Sequence, residues 1–162
     1  MFTYGSASNF NTTTQNVSRP DCSQSLSSDG AAIYKRGTWT YGSAVIALTT
    51  YCKNTPTGSE LPVIYNAIME VNYANYFSSS SAYRPDLQSI ILHELGHLLG
   101  LGHSCGDLAS GLPNVACDSS TASALGLKDS LMFPEWSYDS NRNGEQKRSL
   151  QLNDQGRANC LY

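Results

Sequence analysis

The stretch His93-Glu94-Leu95-Gly96-His97-Leu98-Leu99-Gly100-Leu101-Gly102-His103 constrains this chain more than any other. Its first five residues fit H-E-x-x-H, which on a helix sets two imidazoles four residues apart on one face. One helical turn takes ~3.6 residues, so His93 and His97 stand one above the other and can close on a single ion. Glu94 lies close by without being a ligand, where a base for an activated water is wanted. His103 is six residues past His97, out of phase for that face, and reaches the same ion only if the helix stops and the chain folds back. Gly100 is the residue that allows this, because glycine adopts positive φ without steric cost and commonly ends helices. Three imidazoles and one open position form a donor set of catalytic rather than structural zinc. A chance H-E-x-x-H in a leucine-rich helix is the competing reading, and the Gly100 and His103 extension weighs against it. The chain holds three histidines, all of them in this motif.

The 162 residues are enough for one domain with a real core. The formal charge is −3, charged residues make up 14%, and no basic cluster exceeds Lys147-Arg148. Nucleic acid and a basic membrane-binding surface are therefore not expected. No run approaches the ~18 apolar residues of a membrane span. Residues 1–5 lack the charged start and apolar run of a secretory leader, so a leader removed, or a chain that begins partway, is expected. The five cysteines, Cys22, Cys52, Cys105, Cys117 and Cys160, include no C-x-x-C. In a polar, low-charge chain they suggest disulfides and an extracellular setting. Cys105 and Cys117 are close enough to staple the loop after His103. The odd count leaves one thiol over, either a free buried cysteine or one whose partner lies upstream of Met1.

Along the chain, residues 2–5, 31–34, 44–51 and 67–73 read as strands, the third an apolar run suited to burial on both faces. Pro85 fits the first position of a helix, with Asp86 favourably placed against its dipole. Leu87, Ile90, Ile91, Leu95, Leu98 and Leu99 form an apolar stripe expected to bury that helix under the sheet. Residues 102–131 are loop-like, and 152–161 read as a short closing helix. Asp139-Ser140-Asn141-Arg142-Asn143-Gly144 matches the first half of a calcium loop. Leu150 stands where the closing glutamate belongs, so a plain turn is the favoured reading over calcium.

With these features assembled, the chain resembles the metzincin zinc proteases and, among them, the matrixins, in particular the bacterial matrixin-like ones. The zinc signature is theirs. Ser104 follows the third histidine as in matrixins, and Ser130-Leu131-Met132-Phe133-Pro134 is similar to their Met-turn, in which Met132 would floor the zinc histidines. Pro134 stands where the astacin-like and serralysin-like branches have a ligating tyrosine. Residues 39–49 and 67–72 resemble the strands leading to the family's zinc helix, and 150–162 its closing segment. The resemblance implies an α+β fold: a twisted mixed sheet over the zinc helix in an upper part (1–103) and an irregular lower part (104–162) ending in a helix. It departs from the family in three ways. No long helix is readable before Pro85, so an opening strand and helix are expected to be missing. No histidines remain for a second, structural zinc, and Arg19-Pro20-Asp21-Cys22 is a poor match to a cysteine switch. The activity implied is endopeptidase hydrolysis by zinc-activated water, with His93, His97 and His103 as ligands and Glu94 as general base. A protein or peptide substrate would lie extended along an edge strand, expected at 67–73, with a side-chain pocket walled by 132–138. A secreted monomer is expected. An inactive binding module on the same fold, and a zinc hydrolase acting on something other than protein, stay open as alternatives.

Overall fold

The computed structural model describes residues 30–54, 62–106 and 115–161. They show an α+β architecture in two compact units that meet in sequence between Ser81 and Ala82, strands in the first and helices in the second. The expected strand at 2–5 and Cys22 lie outside the described residues.

In the first unit, β1 (Gly30–Arg36), β2 (Ala47–Lys53) and β3 (Ile64–Asn72) form a mixed sheet in the order β1-β3-β2. β1 runs parallel to β3, from Gly30 opposite Asn66 to Arg36 opposite Asn72. β2 runs antiparallel to it, from Ala47 opposite Val71, with an irregularity at Cys52/Lys53. The expected strands at 31–34, 44–51 and 67–73 all exist, but two of their roles are corrected. The doubly buried strand is β3, whose side chains are buried without interruption from Ala67 to Asn72, whereas Cys52 is the buried residue of β2. Nor is β3 an edge. Neighbours on both sides use its amides and carbonyls, so an extended peptide cannot add there.

Two polar side chains are buried in β3, and each is matched. The Glu70 carboxylate accepts from Arg36 Nε at 2.7 Å and from the Tyr41 hydroxyl at 2.9 Å. Asn72, fully buried, donates to the Val45 carbonyl at 2.8 Å and accepts from the Asn75 amide at 3.1 Å. A buried charge persists only when paired in this way.

In the second unit, α1 (Leu87–Leu98), α2 (Ser120–Ala124) and α3 (Leu152–Asn159) are joined by irregular chain. Asp86 is the N-cap of α1, accepting from the Ser89 amide at 3.0 Å, so Pro85 precedes the helix instead of opening it. Arg148 grips the same carboxylate through Nε at 3.0 Å and a terminal nitrogen at 2.5 Å. That guanidinium, more than the Ser89 bonds, lowers the Asp86 pKa from 3.8 to about 2.

Asp139–Gly144 contains a turn, with the Arg142 amide on the Asp139 carbonyl at 2.9 Å. Asp139 Oδ1 accepts the Asn141 and Asn143 amides at 2.9 and 2.8 Å, and the Asn143 side chain donates to Oδ2 at 3.3 Å. The turn docks on the start of α1, with Arg84 N–H on the Arg142 carbonyl and Gly144 N–H on that of Arg84. A Cβ on Gly144 would come within 2.8 Å of the Pro85 backbone, so the approach requires glycine.

The leucine stripe is corrected as well. Leu87, Leu95 and Leu99 are each 37% exposed, while the buried residues of α1 are Ser89, Ile90, His93, Glu94 and Gly96. The helix buries its histidine side because the loops at 130–133 and 145–148 occupy that side with polar and apolar partners alike. Residues 115–131, expected as loop, also contain α2, capped by the Ser119 hydroxyl on the Ala122 amide at 3.1 Å. The Cys105–Cys117 disulfide is present, and Cys52 is disulfide-bonded as well. Among the described residues the free thiol is Cys160, which is exposed and not buried.

Candidate metal centre

The site begins with the way α1 ends. Gly100 has φ +86°, its amide bonds the His97 carbonyl at 3.0 Å, and the Leu101 amide bonds the Gly96 carbonyl at 2.9 Å. This is the paired closure by which a left-handed residue finishes a helix. It also orients a ligand, because His97 Nδ1 meets the Leu101 carbonyl at 2.8 Å. One residue, Leu101, buried to 4% exposure, thus seals the helix through its N–H and fixes His97 through its C=O.

His93 is fixed in the same manner from another element. Its Nδ1 lies 2.8 Å from the Leu131 carbonyl. With Nδ1–H donated to a carbonyl, Nε2 is the nitrogen each of these two rings can offer to an ion. His103 then arrives from beyond the reversal, and the three histidines offer ligating atoms within 4.8 Å of one another. Their ring centroids are 4.9, 5.3 and 4.9 Å apart. Burial, reinforced by the neighbouring His97, pushes the His93 pKa down from 6.5 to about 3. The ring is therefore neutral at ordinary pH, which is the form that binds metal. Glu94, 5% exposed, is next to His93 in sequence and three residues before His97 on the same helix, within side-chain reach of it.

Met132 is where a floor under the histidines would be. It is fully buried against α1, and a Cβ at Gly96 would fall 2.2 Å from its Sδ. Gly96 is thus the gap in the helix, between the two ligands, that the methionine fills. Ser104 ties the third ligand's stretch to the same turn: its amide bonds the Met132 carbonyl and its hydroxyl the Leu127 carbonyl, both at 2.9 Å.

Sequence reasoning missed the residue that holds this turn. Asp154, fully buried on α3, accepts from the Leu131 amide at 2.8 Å, the Met132 amide at 3.2 Å, the Gln151 amide at 2.9 Å and the Ser130 hydroxyl. The Gln151-x-x-Asp154 spacing is a helix-start signature, and it would have given the cap but not the turn. Lys147 was also passed over. Its Nζ donates to the Lys128 carbonyl at 2.7 Å and lies over the rings of Phe133 and Trp136, at 4.7 and 5.6 Å. Burial lowers its pKa against the pull of Glu145. Trp136 in turn stands 6.2 Å from the His93 ring.

The residues present suit a metal ion: three neutral or neutralisable imidazoles converge, and two are oriented by carbonyls behind them. Comparison with protein-family models, with curated proteins and with solved structures finds no match to this chain.

Proposed function

We propose that the chain is a zinc-dependent endopeptidase of the metzincin kind, closest in its motifs to the matrixins. The observation that carries the reading is the convergence of His93, His97 and His103 beside a buried Glu94. Met132, packed into the gap at Gly96 between His93 and His97, supports it. Zinc is the metal proposed because three imidazoles with an open position are its catalytic donor set.

When bound, zinc supplies Lewis acidity, bringing the pKa of a water toward ~7 and polarising a carbonyl. The chain's own residues do the rest. His93 and His97 would hold the ion through Nε2, and His103 through a ring nitrogen. The Leu131 and Leu101 carbonyls keep the first two rings from rotating and raise their basicity. Glu94 would accept a proton on its carboxylate from the attacking water and return it to the leaving amine nitrogen. Trp136, whose ring centroid is 6.2 Å from that of His93, would be the residue of the 132–138 stretch to wall a side-chain pocket, and Phe133 packs in the core under Lys147. The substrate proposed is a protein or peptide chain bound in extended form. A secreted setting is part of the proposal. It is supported by the Cys105–Cys117 disulfide, and no helix among the described residues is long and apolar enough to cross a membrane.

The experiment is digestion of denatured protein by the purified chain, with bound metal quantified, with and without a chelator, and beside Glu94→Gln. Chelator-sensitive cleavage at one zinc per chain, reduced by about 10²–10⁴-fold in a variant that keeps its zinc, is expected. Equal cleavage by the variant would end the general-base assignment. Zinc uptake without cleavage of any substrate would favour a binding role.

A further inference from the structure

His93 and His97 ride on a capped helix, each ring set by a carbonyl at 2.8 Å. His103 lies on irregular chain past the Gly100 reversal, and the residues flanking it are tied down on both sides. The Gly102 carbonyl accepts from Arg157 at 2.9 Å, and Ser104 bonds Met132 and Leu127. Cys105, two residues after His103, is bonded to Cys117, twelve positions on, with the Cα atoms 5.1 Å apart. The Gly106 amide closes on the Val115 carbonyl at 2.9 Å, directly beside that bond. Cys105 is 5% exposed and shares an apolar cluster with Ala122, Leu127 and Phe133.

We propose that the Cys105–Cys117 disulfide is a positioning element of the metal centre, keeping His103 where it completes the site; this rests on the metal-site reading above. Single hydrogen bonds on irregular chain open locally at small free-energy cost. A covalent link removes from that open ensemble the states in which the two ends of the arm separate. A third ligand adds to affinity to the extent that it is already in place before the ion arrives. The disulfide therefore acts on metal retention through His103, and the helical pair His93 and His97 is indifferent to it.

The test is zinc affinity by chelator competition, with cobalt(II) absorption as a probe of the ligand set. Cys105→Ala/Cys117→Ala is compared with the parent chain, with His103→Ala and with the triple variant, and folding is followed by circular dichroism. The cysteine pair should bind zinc about 10–100-fold more weakly than the parent, the range seen when residues that orient metal ligands are lost. Its cobalt(II) spectrum should move toward that of His103→Ala, and the triple variant should bind no more weakly than His103→Ala alone. If the alanine pair does not fold, Cys105→Val with Cys117→Ala refills the volume beside Leu127 and Phe133 and takes its place. Parental affinity and spectrum in a folded cysteine variant overturn the inference and leave the site reading standing. Additive losses in the triple variant overturn the route through His103. A parent chain that takes up no zinc overturns the site reading, and the inference with it.

Discussion

The two units bury polar side chains for different ends. In the sheet, the Glu70 carboxylate is met by the side chains of Arg36 and Tyr41, and the backbone around it is already satisfied by the β ladder. In the helical unit, Asp154, Ser104 and Ser130 are spent largely on the backbone of irregular chain: the amides of Leu131, Met132 and Gln151, and the carbonyl of Leu127. Regular structure satisfies its own amides and carbonyls, and loops do not. A polar core residue in a sheet can therefore be a local matter, whereas one beneath a loop decides where the loop goes. The histidines of the candidate metal centre depend on loops of the second sort.

Asp154→Ala is the variant that should break this contrast most visibly. It removes the acceptor of the buried Leu131 amide and Ser130 hydroxyl and one of two acceptors of the Met132 amide, so a loss of about 3–5 kcal/mol is expected in urea unfolding. Zinc retention should fall with it, because the Leu131 carbonyl behind His93 loses its anchor. A stable Asp154→Ala that keeps its zinc would show that the turn holds itself. Arg36→Ala is the matched change in the sheet. It leaves Glu70 with Tyr41 but without its cation, and the expected cost is about 2–4 kcal/mol, with metal affinity, measured in the same folded sample, unmoved. If zinc affinity dropped as far as in Asp154→Ala, the distinction between the two kinds of burial would fail. The smallest effect belongs to Gly144→Ala, where the added methyl meets the Pro85 backbone at 2.8 Å. About 1–3 kcal/mol of overpacking is expected, read as a lowered melting temperature, and no change at all would mean that the turn can lift off α1 freely.

The same contrast explains what the sequence disclosed. The histidine cluster was legible because helical spacing and the Gly100 reversal are local rules, and the structure gathers all three histidines where they could hold a metal ion. The Cys105–Cys117 staple was legible because the two are close in sequence. The three strands could be found, but not their order, since an apolar run at 44–51 and one at 67–71 look alike until pairing shows which is central. The leucine stripe misled for a related reason. Periodicity names an apolar face, but on α1 the face that packs is the one carrying Ser89, His93 and Gly96, whose partners come from 130–133 and 145–148. Asp154 was invisible because a carboxylate three residues into a helix already has a local explanation, and its bonds to Leu131 and Met132 span more than twenty residues.

Gly96 bears on the order in which the chain folds. A glycine in the last turn of a twelve-residue helix costs it up to roughly 1 kcal/mol of intrinsic propensity, and helices this short are marginal on their own. What fills the gap is Met132, thirty-six residues later, on a turn that in its place awaits α3. The helix bearing two of the three ligands therefore gains its full stability only after chain synthesised well beyond it has docked. A nascent or partly folded chain would hold the metal-binding motif in sequence long before it held a metal-binding site.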